Sequence, residues 1–360
     1  MSSLADQLAA PAVKALIPYQ SARRIGGEGH LWLNANELEA DFRSDDRSPN
    51  LHRYPDFLPH ELAEAYQQYS GVDCSVVAVR GADEAIELLV RAFCQPGKDR
   101  LMICPPTYAM YDFCGEAASV AVDKVPLLDD FQLDMPRIKA GVANSHLLFL
   151  CSPNNPTGNL INRDDIIELL EYTKDSTLVV VDEAYIEFAP DHSVANLIAE
   201  YPHLVVIRTL SKAFGLAAVR CGFVLANASV MAYLNKVIAP YPIPDPSAKI
   251  SLTALLPNNV AEMRRATEQL IAVREQFVER IKHLPCIESV YESHTNFVLI
   301  RQRKHESAEA QQTLFSYLID QGIVARDQSQ DPALEGCVRI TIGEPDSMDE
   351  VATALENYQY

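Results

Sequence analysis

Basic residues are scarce in this chain: 30 Lys and Arg stand against 49 Asp and Glu, a formal net charge of −19. Nucleic acid is therefore not an expected partner, because phosphate backbones are bound by basic surfaces. Long apolar runs are missing as well. Residues 147–151 and 178–181 are of strand length, far below a membrane span. Residues 1–6 read MSSLAD and show no basic stretch followed by an apolar one, so no secretory signal is read. Cysteine is present but scattered, at positions 74, 94, 104, 114, 151, 221, 286 and 337, with no Cys-x-x-Cys pair. That spacing argues against a metal site or a disulfide framework and for small buried hydrophobes in a reducing compartment. Internal repeats and low-complexity tracts are absent too. The expectation is a cytoplasmic globular protein with no membrane partner; the acidity speaks to solubility, not to fold.

What is there is 360 residues, enough for one large α/β domain with a smaller companion and for a core that needs no disulfides. Short apolar segments at 76–79, 101–104, 147–151, 178–181, 204–207 and 222–225 read as strands. Between them, 83–93 and 163–173 carry apolar residues three and four apart, as helices do. Strands separated by such helices predict a mostly parallel sheet covered on both faces, with ligands outside the carboxyl ends of the strands. Beyond Pro246 the pattern changes. A long helix is expected over about 259–284, followed by strands at 296–300 and 337–342 flanking a helix around 308–321. The chain thus divides into an N-terminal arm (1–45) packing on the small domain, a large domain (46–255), and a small α+β domain (256–360).

The residues that carry chemistry fall at the strand ends. After 204–207 comes Arg208-Thr-Leu-Ser211-Lys212-Ala-Phe-Gly. Arg208 and Arg220 near this lysine would disfavour its protonated form and leave an amine able to attack a carbonyl; the alternative is a solvated surface lysine. Residues 178–181 deliver Asp182 to a strand end, with Tyr185 three residues on. Such a carboxylate suits a metal, a histidine, a protonated ring nitrogen, or simply the N-cap of the next helix. Cys151-Ser-Pro-Asn-Asn155-Pro-Thr-Gly is a rigid turn from which Asn155 can donate to a ring oxygen, unless it is only a proline-fixed loop. Cys104-Pro-Pro-Thr-Tyr108 presents an aromatic ring that could stack on a planar group or lie exposed. Arg80-Gly81-Ala82-Asp83 opens a helix with small residues, so that backbone amides can approach a phosphate. There Asp83 should turn its amide, not its carboxylate, to the anion. Each signal alone is weak. Together, a phosphate cradle, a stacking ring, an oxygen donor, a pyridinium partner and an amine account for every functional edge of pyridoxal phosphate. A metal or nucleotide reading leaves some of them unused.

The order of these motifs, with Arg220-Cys-Gly-Phe, resembles the fold-type I pyridoxal-phosphate aminotransferases of class II. The segments Pro18-Tyr19-Gln-Ser-Ala-Arg-Arg24, Asn34-Ala-Asn36-Glu37, Arg53-Tyr54-Pro55 and Arg339-Ile-Thr-Ile-Gly343 resemble the histidinol-phosphate aminotransferase family within them. One departure is Tyr19-Gln-Ser-Ala, where many relatives have a proline–glycine turn. The resemblance implies pyridoxal 5'-phosphate as cofactor and a homodimer with a shared active site. It implies Lys212 as the Schiff-base lysine and proton shuttle, Asp182 against the pyridinium, and Asn155 and Tyr185 on the ring hydroxyl oxygen. Tyr108 would stack on the ring. Gly81, Ala82, Asp83, Ser211, Arg220 and a second subunit's Tyr54 would hold the phosphate. Arg326, Arg339, Tyr19 and Asn155 would bind substrate: a phosphorylated amino alcohol in one half-reaction and 2-oxoglutarate or glutamate in the other. The reaction expected is transamination of L-histidinol phosphate with 2-oxoglutarate in histidine biosynthesis. Transamination of aromatic or other amino acids is the nearest alternative, a lyase or decarboxylase a more distant one. A non-enzymatic regulator of this fold would carry a basic DNA-binding extension, which Lys14, Arg23 and Arg24 do not make.

Overall fold

The computed structural model describes residues 2–19, 21, 30–40, 51–304 and 312–358. Seven strands make the larger sheet: β1 (Ser75–Val79), β2 (Arg100–Ile103), β3 (Ala121–Lys124), β4 (Leu147–Cys151), β5 (Leu178–Asp182), β6 (Leu204–Thr209) and β7 (Gly222–Ala226), in the order β1-β7-β6-β5-β4-β2-β3. β7 runs antiparallel to both its neighbours, and the other pairings are parallel. The central strands are apolar throughout because both faces are covered. Leu178 and Val180 of β5 enter one core with Leu147 and Phe149, while Val179 and Val181 enter the opposite core with Leu148 and Leu150. Helices Ala82–Phe93 and Arg163–Thr173 lie where the apolar spacing put them. β3 escaped the sequence reading. Its Ala-Val-Asp-Lys is half-exposed at the sheet edge, where packing does not demand an apolar run.

The C-terminal unit is a second, antiparallel sheet of β8 (Ile287–Val290), β9 (Phe297–Gln302), β10 (Arg326–Asp327) and β11 (Cys337–Thr341), in the order β10-β11-β9-β8. The long helix spans Pro257–Ile281, opening on a proline in its first turn, where a missing N–H costs nothing. Phe277 and Ile281 from its last turns pack with Val298, Ile300, Leu318, Val338, Ile340 and Leu355. The helix expected around 308–321 is Leu314–Asp320, and residues 308–311 lie outside the described ones. A terminal helix, Pro345–Asn357, completes this core.

The N-terminal segment corrects one expectation. Its helices Leu4–Leu8 and Pro11–Ala15 pack on the large sheet's helices, not on the C-terminal unit. Ala5, Leu8 and Ala9 share a core with Val90, Phe93, Val230 and Leu234. Polar ties fix the docking: Tyr233 donates to Asp6 at 2.9 Å, Lys236 to the carbonyl of Lys14 at 2.7 Å, and the Ala10 amide to the Ala92 carbonyl at 2.9 Å. Loop signals alone did not suggest this seat against helices Ala82–Phe93 and Ala228–Val237. Of the arm's motif residues, Gln20 and positions 22–24 lie outside the described residues.

Because Phe277 anchors the smaller core, Phe277→Ala is expected to cost about 3–5 kcal/mol, read from urea unfolding followed by the single tryptophan and far-UV circular dichroism.

Candidate active site

The carboxyl ends of β2, β4, β5 and β6 converge with the start of helix Ala82–Phe93 on a cavity of about 170 Å³. It is lined by Ala82, Asp83, Tyr108, Cys151, Asn155, Asp182, Ala184, Tyr185, Thr209, Ser211, Lys212, Ala217 and Arg220. Residues separated by more than a hundred positions meet because β4, β5 and β6 are consecutive neighbours in the sheet. Each hands its last side chain to the same opening.

Asp182 sits at the floor, 2% exposed. One carboxylate oxygen accepts from the Tyr111 hydroxyl at 2.8 Å and the other from the Ala184 amide at 3.0 Å. Burial dominates these bonds and pushes its pKa from 3.8 to about 6. The carboxylate therefore gains most from a buried cation placed against it. Across the cavity, Lys212 holds its ammonium 5.3 Å over the Tyr185 ring. Burial lowers its pKa, and the positive charge of Arg339 adds to the effect, against the opposing pull of Asp182. The arginines expected to act on Lys212 were Arg208 and Arg220. Arg208 is instead buried in an ion pair with Glu183 at 2.8 Å and hydrogen-bonded to Ser193, while Arg220 contributes weakly. The main partner comes from the other sheet, more than a hundred residues on.

The candidate anion cradle lies where the end of β1 pairs with the start of β7. Gly81 has φ 82° and ψ 173°, a conformation open only to glycine. A Cβ there would lie 2.6 Å from Arg220 Nη2, and one on Gly222 would lie 2.7 Å from the Gly81 carbonyl carbon. The chain can thus press against β7 and leave the start of a twelve-residue helix without a side-chain cap, with its first residues Ala82 and Asp83 lining the cavity. The Asp83 carboxylate lies among the cavity's own side chains, accepting from Tyr108 at 2.9 Å and from Arg220 at 3.4 Å. Ser211 Oγ lies 2.9 Å from Thr209 Oγ1 on the same rim.

From the small sheet, Arg339 stands over the Phe297 ring at 5.1 Å and donates to Asn155 Oδ1, reaching the cavity through that amide. Arg326 is its direct partner across the β10–β11 pair and is exposed. Tyr54 and Tyr19 do not line the cavity. Tyr54 is 51% exposed and stacked on Tyr241 at 4.6 Å, with Glu37 accepting from its amide at 2.6 Å and pairing with Arg53 at 3.0 Å. Tyr19 is 64% exposed. Sequence reasoning missed Tyr111 and Thr209. Tyr111 lies in the first turn of helix Met110–Ala117, its ring edge-on to that of Tyr108 at 5.7 Å, and it packs flat on Phe149 at 5.0 Å.

These features fit pyridoxal phosphate, the cofactor of the family to which the motifs point. Uncapped helix amides with Ser211 and Arg220 would take its phosphate, Asp182 its ring nitrogen, Asn155 and Tyr185 its hydroxyl oxygen, and Lys212 its aldehyde. Two outcomes are expected. Gly81→Ala forces a side chain into Arg220 from a left-handed backbone and should cost about 1–3 kcal/mol in urea unfolding while loosening phosphate binding. For Asp182, a raised pKa means that stability present at low pH is lost as the group ionises in its buried site. Cofactor-free protein should therefore lose stability relative to Asp182→Asn as pH rises from 3.8 through about 6, with no further change above; thermal melts across that window read the difference.

Comparison with known proteins agrees with this geometry. Residues 30–355 match the family model for aminotransferase class I and II. Over 353 residues the chain is 48% identical to the histidinol-phosphate aminotransferase of Escherichia coli (strain K12), covering 98% of each chain. It superposes on the crystal structure of the histidinol-phosphate aminotransferase from Clostridium acetobutylicum with a TM-score of 0.77 at 26% identity, covering 85% of this chain and 90% of that one. The same enzyme from Sinorhizobium meliloti, in complex with pyridoxal-5'-phosphate, gives a TM-score of 0.74 at 25% identity, covering 84% and 82%. With likeness running through both sheets and the cavity motifs in order, this chain belongs to the class I and II aminotransferase family.

Proposed function

We propose that the chain transfers the amino group of L-histidinol phosphate to 2-oxoglutarate, giving imidazole-acetol phosphate and L-glutamate, and that it works in the cytoplasm as a homodimer. The observation that carries the substrate reading is the register pair Arg326 and Arg339. Cross-strand partners share a face, and like charges set opposite each other repel unless an anion lies between them. Two guanidinium forks suit a phosphate dianion or a dicarboxylate, whereas a single carboxylate needs one. The near full-length likeness to the Escherichia coli enzyme supports the same substrate.

Bound pyridoxal phosphate supplies an electron sink for the pair left behind when the amine-bearing carbon loses its proton. The chain's residues do the rest. Asp182, costly to ionise alone, would hold the ring nitrogen protonated. Tyr108 would cover the ring face, and Asn155 and Tyr185 would hold the hydroxyl oxygen. Lys212 Nζ, with its proton affinity lowered by burial and Arg339, would carry the proton from the amine-bearing carbon as a neutral base. Arg326, Arg339 and Tyr19 would hold the anionic end of the substrate. Tyr54, exposed and outside its own cavity, would serve the phosphate site of a second copy.

Glutamate formation from 2-oxoglutarate with L-histidinol phosphate, phenylalanine and tyrosine tests the assignment. Histidinol phosphate should have the highest kcat/KM; a preference for either amino acid would favour a carboxylate-binding aminotransferase instead. Arg326→Ala should lower kcat/KM for histidinol phosphate about 10- to 100-fold, the loss of one charge-assisted hydrogen bond, and leave phenylalanine turnover nearly unchanged. Lys212→Ala should remove the near-visible absorption band and cut turnover at least about 10²- to 10⁴-fold.

A further inference from the structure

Two of the cavity's side chains hang on separate strands. Tyr108 follows β2 and Asn155 follows β4, yet one residue ties their loops together. Asn154 is 1% exposed. Its Oδ1 accepts from Thr107 Oγ1 at 2.8 Å, and its Nδ2 donates to the Pro106 carbonyl at 2.9 Å and to Thr157 Oγ1 at 2.7 Å. Its amide donates to the Asn159 carbonyl at 2.8 Å, and its carbonyl accepts from the Gly158 amide at 2.8 Å. Both side-chain donors and the side-chain oxygen are thus engaged.

Neither Asn154 nor Thr107 lines the cavity. Each, however, immediately precedes a residue that does: Thr107 before Tyr108, and Asn154 before Asn155. Prolines at 105, 106, 153 and 156 fix φ on both sides of the clamp. With so little backbone freedom nearby, the separation of Thr107 and Asn154 passes directly to their neighbours. We propose that Asn154 and Thr107 form a positioning pair that sets the gap between the Tyr108 ring and the Asn155 amide, and so the seating of the cofactor ring between them. This rests on the pyridoxal-phosphate reading of the cavity. A buried asparagine that only rigidified its own turn would need no partner on the loop after β2. The Thr107 hydroxyl is the one side-chain group that crosses from that loop to the Asn154 oxygen.

The test compares wild type, Thr107→Ser, Thr107→Val and Asn154→Ala, each titrated with pyridoxal phosphate. The dissociation constant and the pH midpoint of the near-visible band are read for each, beside the melting temperature of the cofactor-free protein. Thr107→Val keeps the shape and loses the hydroxyl, leaving the Asn154 oxygen unsatisfied. It should weaken cofactor binding about tenfold, the scale of one buried hydrogen bond, and displace the pH midpoint, with a melting temperature close to wild type. Thr107→Ser should restore both readings. Asn154→Ala should move them further in the same direction; if it fails to fold, the threonine pair carries the test. Wild-type affinity and midpoint in Thr107→Val would overturn the clamp, as would a Thr107→Ser as defective as Thr107→Val, or a weakening that only follows a lowered melting temperature. A wild type that takes up no cofactor would overturn the underlying reading and the clamp with it.

Discussion

A carboxylate held at the end of a fully buried strand is the constraint around which this molecule is arranged. Water is excluded from Asp182, and two hydrogen bonds compensate its charge only in part, so its proton affinity rises. Such a group is costly in an empty fold and gains a favourable partner when a buried cation arrives. Keeping it there requires β5 at the centre of the sheet, apolar on both faces, with Tyr111 fixed beneath it by stacking on Phe149 of β4. The cores on either side are thus preconditions of the chemistry as well as sources of stability.

The second requirement is an amine that is not locked as a cation, and here the two sheets depend on each other. Lys212 is depressed first by burial and then by Arg339, which the antiparallel sheet brings to Asn155. A lysine on the loop after β6 would feel burial anywhere. It feels the guanidinium only because β9 and β11 are docked over the cavity, with Phe297 between Tyr185 and Arg339. The positive field that eases proton loss from Lys212 is a field that would also suit an anionic substrate, so under the proposed function substrate binding and lysine basicity would be coupled through one charge.

Much of the site was legible because local rules suffice where strands end. A run of β-formers ending in Asp182, a glycine that opens a helix at residue 81, and a proline-bounded turn before Asn155 are each written within a few residues. What was not legible depends on who sits across the gap. Arg208 and Lys212 are four residues apart in sequence, which suggested an electrostatic pair. Yet Arg208 belongs to strand β6 and is buried against Glu183, while Lys212 follows the turn into the cavity. The N-terminal arm was placed on the wrong unit for a related reason: its loop signals carry no address, whereas the surface beside Phe93 supplies both the packing and the hydroxyl of Tyr233.

The amino-acid order by itself determined the buried strands of the large sheet, most of the residues delivered to its carboxyl edge, and the chemistry those types can perform; the half-exposed edge strand β3 was not among them. These follow from periodicity and turn chemistry, which act over a few bonds. Tertiary structure alone decided which arginine acts on Lys212, that Tyr111 supports Asp182, that Asn154 joins two loops, and that Arg326 and Arg339 stand side by side. Burial and Coulomb interactions fall off with distance through space, and distance along the chain does not encode them.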